Sequence, residues 1–86
     1  LTTATTATGD WKYKDAPHSA IQVVATAAAT VVFEVSNDGV NAVATTLATV
    51  TLAAAGSDGF TTDAPWKYIR ARVTANSGTV TVNMSV

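Results

Sequence analysis

The sequence predicts an all-β fold: a small antiparallel β-sandwich or small barrel, preceded by an extended N-terminal arm. Three observations lead there. Apolar and polar side chains alternate with a period of two along several segments, most clearly residues 66–75 (WKYIRARVTA). Clusters of Gly, Asn, Asp and Ser punctuate the chain about every ten residues, the spacing of short strands in a sandwich. No segment carries a convincing helical stripe of apolar residues.

Residues 1–10 (LTTATTATGD) are a Thr/Ala stretch with one large apolar side chain, Leu1. They read as an arm that is ordered only when something binds it, ahead of a sandwich domain over residues 11–86. Residues 19–26 (SAIQVVAT) place Ile21, Val23 and Ala25 on one face of a strand. Residues 30–36 (TVVFEVS) set Val31, Phe33 and Val35 against Val32 and Glu34, with Glu34 expected in solvent. The short link at 27–29 suits a hairpin between them, because three alanines cannot nucleate a helix against flanking Val and Thr.

Ser36-Asn37-Asp38-Gly39 is the clearest turn, since Asn and Asp bond their own backbone and Gly takes positive φ freely. Residues 40–52 mix helical spacing (Val43, Leu47, Val50) with strand-favouring Thr, and a strand is expected around 47–53. Residues 55–59 (AGSDG) read as a second turn. After the 66–75 strand, Asn76-Ser77-Gly78 turns the chain. The segment 79–86 (TVTVNMSV) then returns with Val80, Val82, Met84 and Val86 on one face.

Composition narrows the function. The 86 residues include 17 Ala, 16 Thr and 12 Val, while Leu, Ile, Val and Phe together number 19. A chain this short buries only about 60–65% of its unfolded surface, so its core is thin, and a partner surface would supply what it lacks. The absence of cysteine excludes disulfides, thiol catalysis and Cys-based zinc sites. Three Lys and two Arg leave no basic footprint for nucleic acid, and no aliphatic run is long enough for a membrane helix. No cofactor or metal is expected: the glycines form no phosphate-cradling loop, and no acidic spacing matches a calcium loop. Asp10, Asp15, Asp38, Asp58 and Asp63 are explained by turns or strand starts. His18, the single histidine, lies near Asp15 but has no evident nucleophile, so no catalytic residue is assigned.

The halves of the chain echo each other. Asp15-Ala16-Pro17 recurs as Asp63-Ala64-Pro65, 48 residues later, and Ile21 and Thr26 then fall on Ile69 and Thr74. With one residue inserted at the turn, Thr30-Val31 falls on Thr79-Val80. Two similar hairpins, one per half, are expected.

The candidate site is an interaction surface. On the 66–75 strand, Ile69, Ala71 and Val73 point inward, and Trp66, Tyr68, Arg70 and Arg72 point outward. Trp, Tyr and Arg dominate protein–protein contacts because they stack, bond and desolvate large areas. Trp11 and Tyr13 share one side of a nearby extended segment and extend the candidate set. The same aromatics could form a platform for sugar rings, although in a chain with six aromatics their burial is also structurally valuable.

The Ser36-Asn37-Asp38-Gly39 turn after a Val/Phe/Glu strand resembles a group of small tailed-bacteriophage virion proteins. So does the closing strand Pro65-Trp66-Lys67-Tyr68-Ile69-Arg70-Ala71-Arg72-Val73-Thr74, followed by a Gly turn and a Thr/Val strand. The resemblance covers residues 19–86. It implies a small antiparallel β-sandwich, jelly-roll-like, used as a capsid decoration (cement) protein on the outer surface of the virion, with the major capsid protein as partner and a homo-oligomer, a trimer favoured, as its assembled form. The alternative it implies is a host-glycan-binding module of a head fibre or tail. One departure stands out: Val40-Asn41-Ala42-Val43 occupies the place where such proteins often carry an aromatic residue.

Overall fold

A computed structural model describes residues 1–14, 18–37, 45–63 and 66–85. Nine strands follow in chain order: β1 (Thr2–Thr3), β2 (Ala7–Thr8), β3 (Lys12–Tyr13), β4 (Ser19–Ala25), β5 (Ala29–Ser36), β6 (Thr45–Leu52), β7 (Gly56–Thr62), β8 (Tyr68–Asn76) and β9 (Val80–Ser85). There is no helix among the described residues. The first sheet has the order β1-β9-β4-β7, and the second has β2-β8-β5-β6 with β3 also on β8. Every ladder is antiparallel.

Side-chain alternation decides which face turns inward. Ile21, Val23 and Ala25 of β4, with Val80 and Val82 of β9, pack against Val31, Phe33 and Val35 of β5 and Ile69, Ala71 and Val73 of β8. The two sheets thus share one core, as the sequence pattern implies. Phe33 and Phe60 meet edge-to-face across it, ring centroids 5.2 Å apart at 75°. Leu47, Leu52, Trp66 and Met84 close its margins, half-buried.

Several expectations need correction. The 27–29 link makes no hairpin: β4 lies in the first sheet and β5 in the second, so the chain arches from one layer to the other. The 76–78 bend does the same between β8 and β9. Local sequence reports a reversal but not whether the returning strand pairs beside its predecessor or packs over it. Residues 55–59 are not a turn, because β7 runs through Gly56–Thr62 and pairs with β4 over its whole length. Tertiary pairing overrides the turn propensity of Gly, Ser and Asp here, and Asp58 Oδ1 accepts the Gly59 N–H at 2.7 Å within the strand. Asp38 and Gly39 of the turn, Asp15-Ala16-Pro17, Ala64-Pro65 and Val86 lie outside the described residues.

Gly59 is required by close approach. A Cβ there would run into the Ile21 carbonyl oxygen, whereas one at Gly56 would meet nothing within 4 Å. Gly59→Ala is therefore expected to cost about 1–3 kcal/mol by overpacking the β4–β7 ladder. Gly56→Ala should be close to neutral, and urea denaturation of the two variants makes the comparison.

Residues 1–10, expected as an arm awaiting a partner, are extended but bind the chain's own sheets. β1 pairs with β9, and β2 pairs with β8. The Val82 N–H donates to the Leu1 carbonyl at 2.7 Å, and the Gly9 N–H donates to the Ala71 carbonyl at 2.8 Å. Asn76 Nδ2 holds the crossing between the layers by donating to the Thr3 and Thr5 carbonyls at 3.1 and 3.2 Å.

The internal echo has a geometric counterpart, as arches rather than hairpins. Positions 20–25 correspond to 68–73, and 80–85 correspond to 31–36. The β4–β9 partners Ile21↔Met84, Gln22↔Asn83 and Val23↔Val82 then map onto Ile69↔Val35, Arg70↔Glu34 and Ala71↔Phe33, which are the observed β8–β5 partners. The flanking ladders follow, since Ala20↔Thr61 maps onto Tyr68↔Tyr13. A pseudo-two-fold axis therefore exchanges the sheets. It also accounts for the repeated threonines. Thr26 Oγ1 accepts the Thr79 N–H at 2.8 Å, and Thr74 Oγ1 donates to the Thr30 carbonyl at 3.4 Å, so each arch is tied to the other.

Candidate interaction surface

The two halves share a backbone plan but differ in charge. Where the first sheet has the neutral pair Gln22 and Asn83, the second has Arg70 and Glu34. All five cationic side chains lie on β3, on β8 or immediately beside them: Lys12, Lys14, Lys67, Arg70 and Arg72. The strands of the first sheet carry one charged side chain, Asp58. The sandwich thus has a cationic layer and a nearly neutral one.

Alternation along β8 turns Tyr68, Arg70 and Arg72 outward, as the sequence predicts, because Ile69, Ala71 and Val73 fill the core. Glu34 comes from β5, directly opposite Arg70. Arg70 Nε donates to Glu34 Oε1 at 3.0 Å. Arg72 Nε lies 3.4 Å from the same oxygen but is not aligned for a hydrogen bond. The Arg70 guanidinium also stacks on Trp11, its carbon 4.4 Å from the ring centroid. Tyr13 meets Tyr68 edge-on, with centroids 5.6 Å apart at 84°. β3 brings these two aromatics onto the face by pairing Tyr13 with Tyr68 and Lys12 with Ile69.

Five of the six candidate residues, Tyr68, Arg70, Arg72, Trp11 and Tyr13, are therefore brought together. Trp66 is not among them, because it precedes β8 and packs half-buried against the core. Glu34 was expected in solvent but is 7% exposed, covered by the two arginines. The sequence does contain a signal for it: two guanidiniums on one strand face need a counter-charge, and Glu34 is the lone carboxylate inside a predicted strand that can reach them. What remains available to a partner is Tyr13, 58% exposed, and Arg72, whose side chain is 42% exposed. The Tyr13–Tyr68 rings stand nearly perpendicular and so do not form one flat platform.

At one end of the first sheet an open cavity of about 580 Å³ is lined by His18, Ser19, Asp63 and neighbouring small residues. Ser19 Oγ is buried there and makes no hydrogen bond, so no imidazole activates it as a nucleophile. Among the described residues no three His, Cys, Asp or Glu side chains converge as metal ligands. No family model, curated protein or solved structure matches the chain.

Proposed function

We propose that this chain is a non-enzymatic structural protein of a tailed-phage virion. It decorates the outer capsid surface as a homo-oligomer, a trimer favoured, and stabilises the shell by bridging neighbouring capsomers. The observation that carries the reading is the outward set on β8 and β3, where Arg70 and Arg72 lie on the same face as the exposed Tyr13. Such a face suits a carboxylate-bearing partner, which the major capsid protein would present. Glu34 holds the arginines in place, so less side-chain entropy is lost when they bind.

The strand order supports the jelly-roll assignment. With β2 and β3 taken as one interrupted strand, each sheet has four strands, and the chain changes layer at every step except β5 to β6, which pair in the second sheet, the connectivity of two Greek keys wound together. A small domain with a thin core gains burial by packing against symmetric copies.

The test is co-sedimentation with capsids lacking this protein, together with the solution mass of the free chain. Arg72→Glu and Tyr13→Ala are each expected to weaken capsid binding about tenfold or more. Tyr13→Ala should leave the unfolding midpoint nearly unchanged, since that side chain is largely exposed, whereas Arg72→Glu sets a second carboxylate beside Glu34 and lowers it, so its binding is measured well below that midpoint. Binding should also weaken as salt rises. Wild-type capsid binding by both variants would remove this face, and no capsid binding by the wild type would remove the function.

A further inference from the structure

Each portion of this sandwich is completed by the other. The chain up to Asn37 supplies β1–β5, and the chain from Thr45 supplies β6–β9. Among the described residues, every ladder joins one portion to the other and none lies within either. The core divides in the same way. Of its thirteen buried side chains, seven, from Ile21 to Val35, belong to the first portion, and six, from Val50 to Val82, belong to the second. The side-chain links follow suit: Glu34 accepts from Arg70, Tyr13 meets Tyr68, Phe33 meets Phe60, and Thr26 Oγ1 accepts the Thr79 N–H.

The interior is therefore an interface between two interlocked pieces, joined covalently through residues 38–44. In a sandwich built from hairpins, a segment keeps some ladders of its own when the rest of the chain leaves. Here each portion finds its ladder partners only in the other. The same portion of a second molecule offers that set in the same registers.

We infer that the chain exchanges portions with a second copy, residues 1–37 of one molecule closing on residues 45–86 of another. The exchanged form rebuilds every ladder, the core and the Glu34–arginine cluster, so concentration and the connection decide whether it forms. A connection of seven residues reaches at most about 23–25 Å when extended. It holds the tethered portions at an effective concentration on the order of millimolar. Exchange becomes a major form as the chain approaches that concentration. It is a property of the free chain and does not depend on the capsid reading.

The chain has no cysteine, so an introduced disulfide reports which molecules contribute to a ladder. Gln22 on β4 and Asn83 on β9 are register partners, and both are exposed. A Gln22→Cys chain and an Asn83→Cys chain are mixed in urea, refolded together and oxidised. A disulfide joining position 22 of one molecule to position 83 of the other is expected. Its yield should rise at least about tenfold between about 10 μM and about 1 mM total chain. A chain carrying both substitutions, refolded dilute, should close the same bridge within one molecule, which shows that the positions can be joined. The Gln22→Cys chain mixed with a Thr51→Cys chain is the mismatched control, because Thr51 is exposed on β6, which does not pair with β4. It should bridge at least about tenfold less at equal concentration. The inference fails if the double variant closes while the mixed single variants do not bridge, or if the mismatched pair bridges as readily. A variant-free measurement also decides it: wild-type chain refolded at about 1 mM should contain a species of at least twice the monomer mass, and monomer alone overturns the exchange.

Discussion

Phe33→Ala is expected to be the most destabilising single substitution in the core, removing about 3.5–6.5 kcal/mol of stability at room temperature. Phe33 has no exposed surface and is the largest fully buried side chain of the core. Truncating a buried Phe costs about 3–5 kcal/mol, and losing its edge contact with Phe60 is worth about 0.5–1.5 kcal/mol more. Chains of this length have a total stability of about 4–13 kcal/mol, at roughly 0.05–0.15 kcal/mol per residue. Its core neighbours include Val23, Val31, Val35, Val73 and Ala71, short side chains that cannot swing into the space. Far-UV circular dichroism with urea titration measures the outcome. Phe60, only half-buried on β7, should cost clearly less when replaced. A Phe33→Ala variant less than about 2 kcal/mol below the wild type would mean that the core relaxes around the gap far more than close packing allows.

Glu34→Ala is expected to be the most damaging substitution outside the core. It leaves Arg70 and Arg72 side by side with the shared carboxylate gone. Removing one member of a fully buried pair costs about 3–5 kcal/mol. Here the Arg70 and Arg72 side chains are 19% and 42% exposed, so water screens part of the repulsion. The expected loss is about 2–3 kcal/mol. Two further measurements identify the cause as electrostatic. The loss should shrink as salt is added, and the double variant Glu34→Ala/Arg70→Ala should be more stable than the summed single losses predict. Salt-independent destabilisation with additive single losses would assign Glu34 a packing role instead.

The inward faces were largely legible from alternation alone, whereas the layer each strand joins was not. Ile21, Val23, Val31, Phe33, Ile69 and Val73 are buried where the period of two places them. The outward aromatic and arginine set was legible for the same reason. Residues whose position depends on a distant strand were not. Glu34 looks solvent-facing on β5, and only the register with Arg70, 36 residues away, shows that it is covered. Trp66 continues the alternation of β8 in sequence, but the strand begins at Tyr68, so the pattern carries it onto the wrong face. The AGSDG stretch has turn chemistry and still forms a strand, because β4 offers it a complete ladder. The internal echo was readable as a repeat, but a repeat of two arches looks the same in sequence as a repeat of two hairpins.

The ladder pattern also bears on how the chain is made. Every ladder joins a strand within the first 36 residues to one from residue 45 onward. Neither portion contains a strand pair of its own, so a nascent chain leaving the ribosome has nothing to pair with until its second portion begins to emerge. β4 and β9 cannot join until residues 80–85 have been synthesised. Such non-local closure is slow, on the millisecond-to-second scale typical of sandwiches, and in that interval the Thr/Val segments of β4 and β5 are open to the matching segments of another molecule.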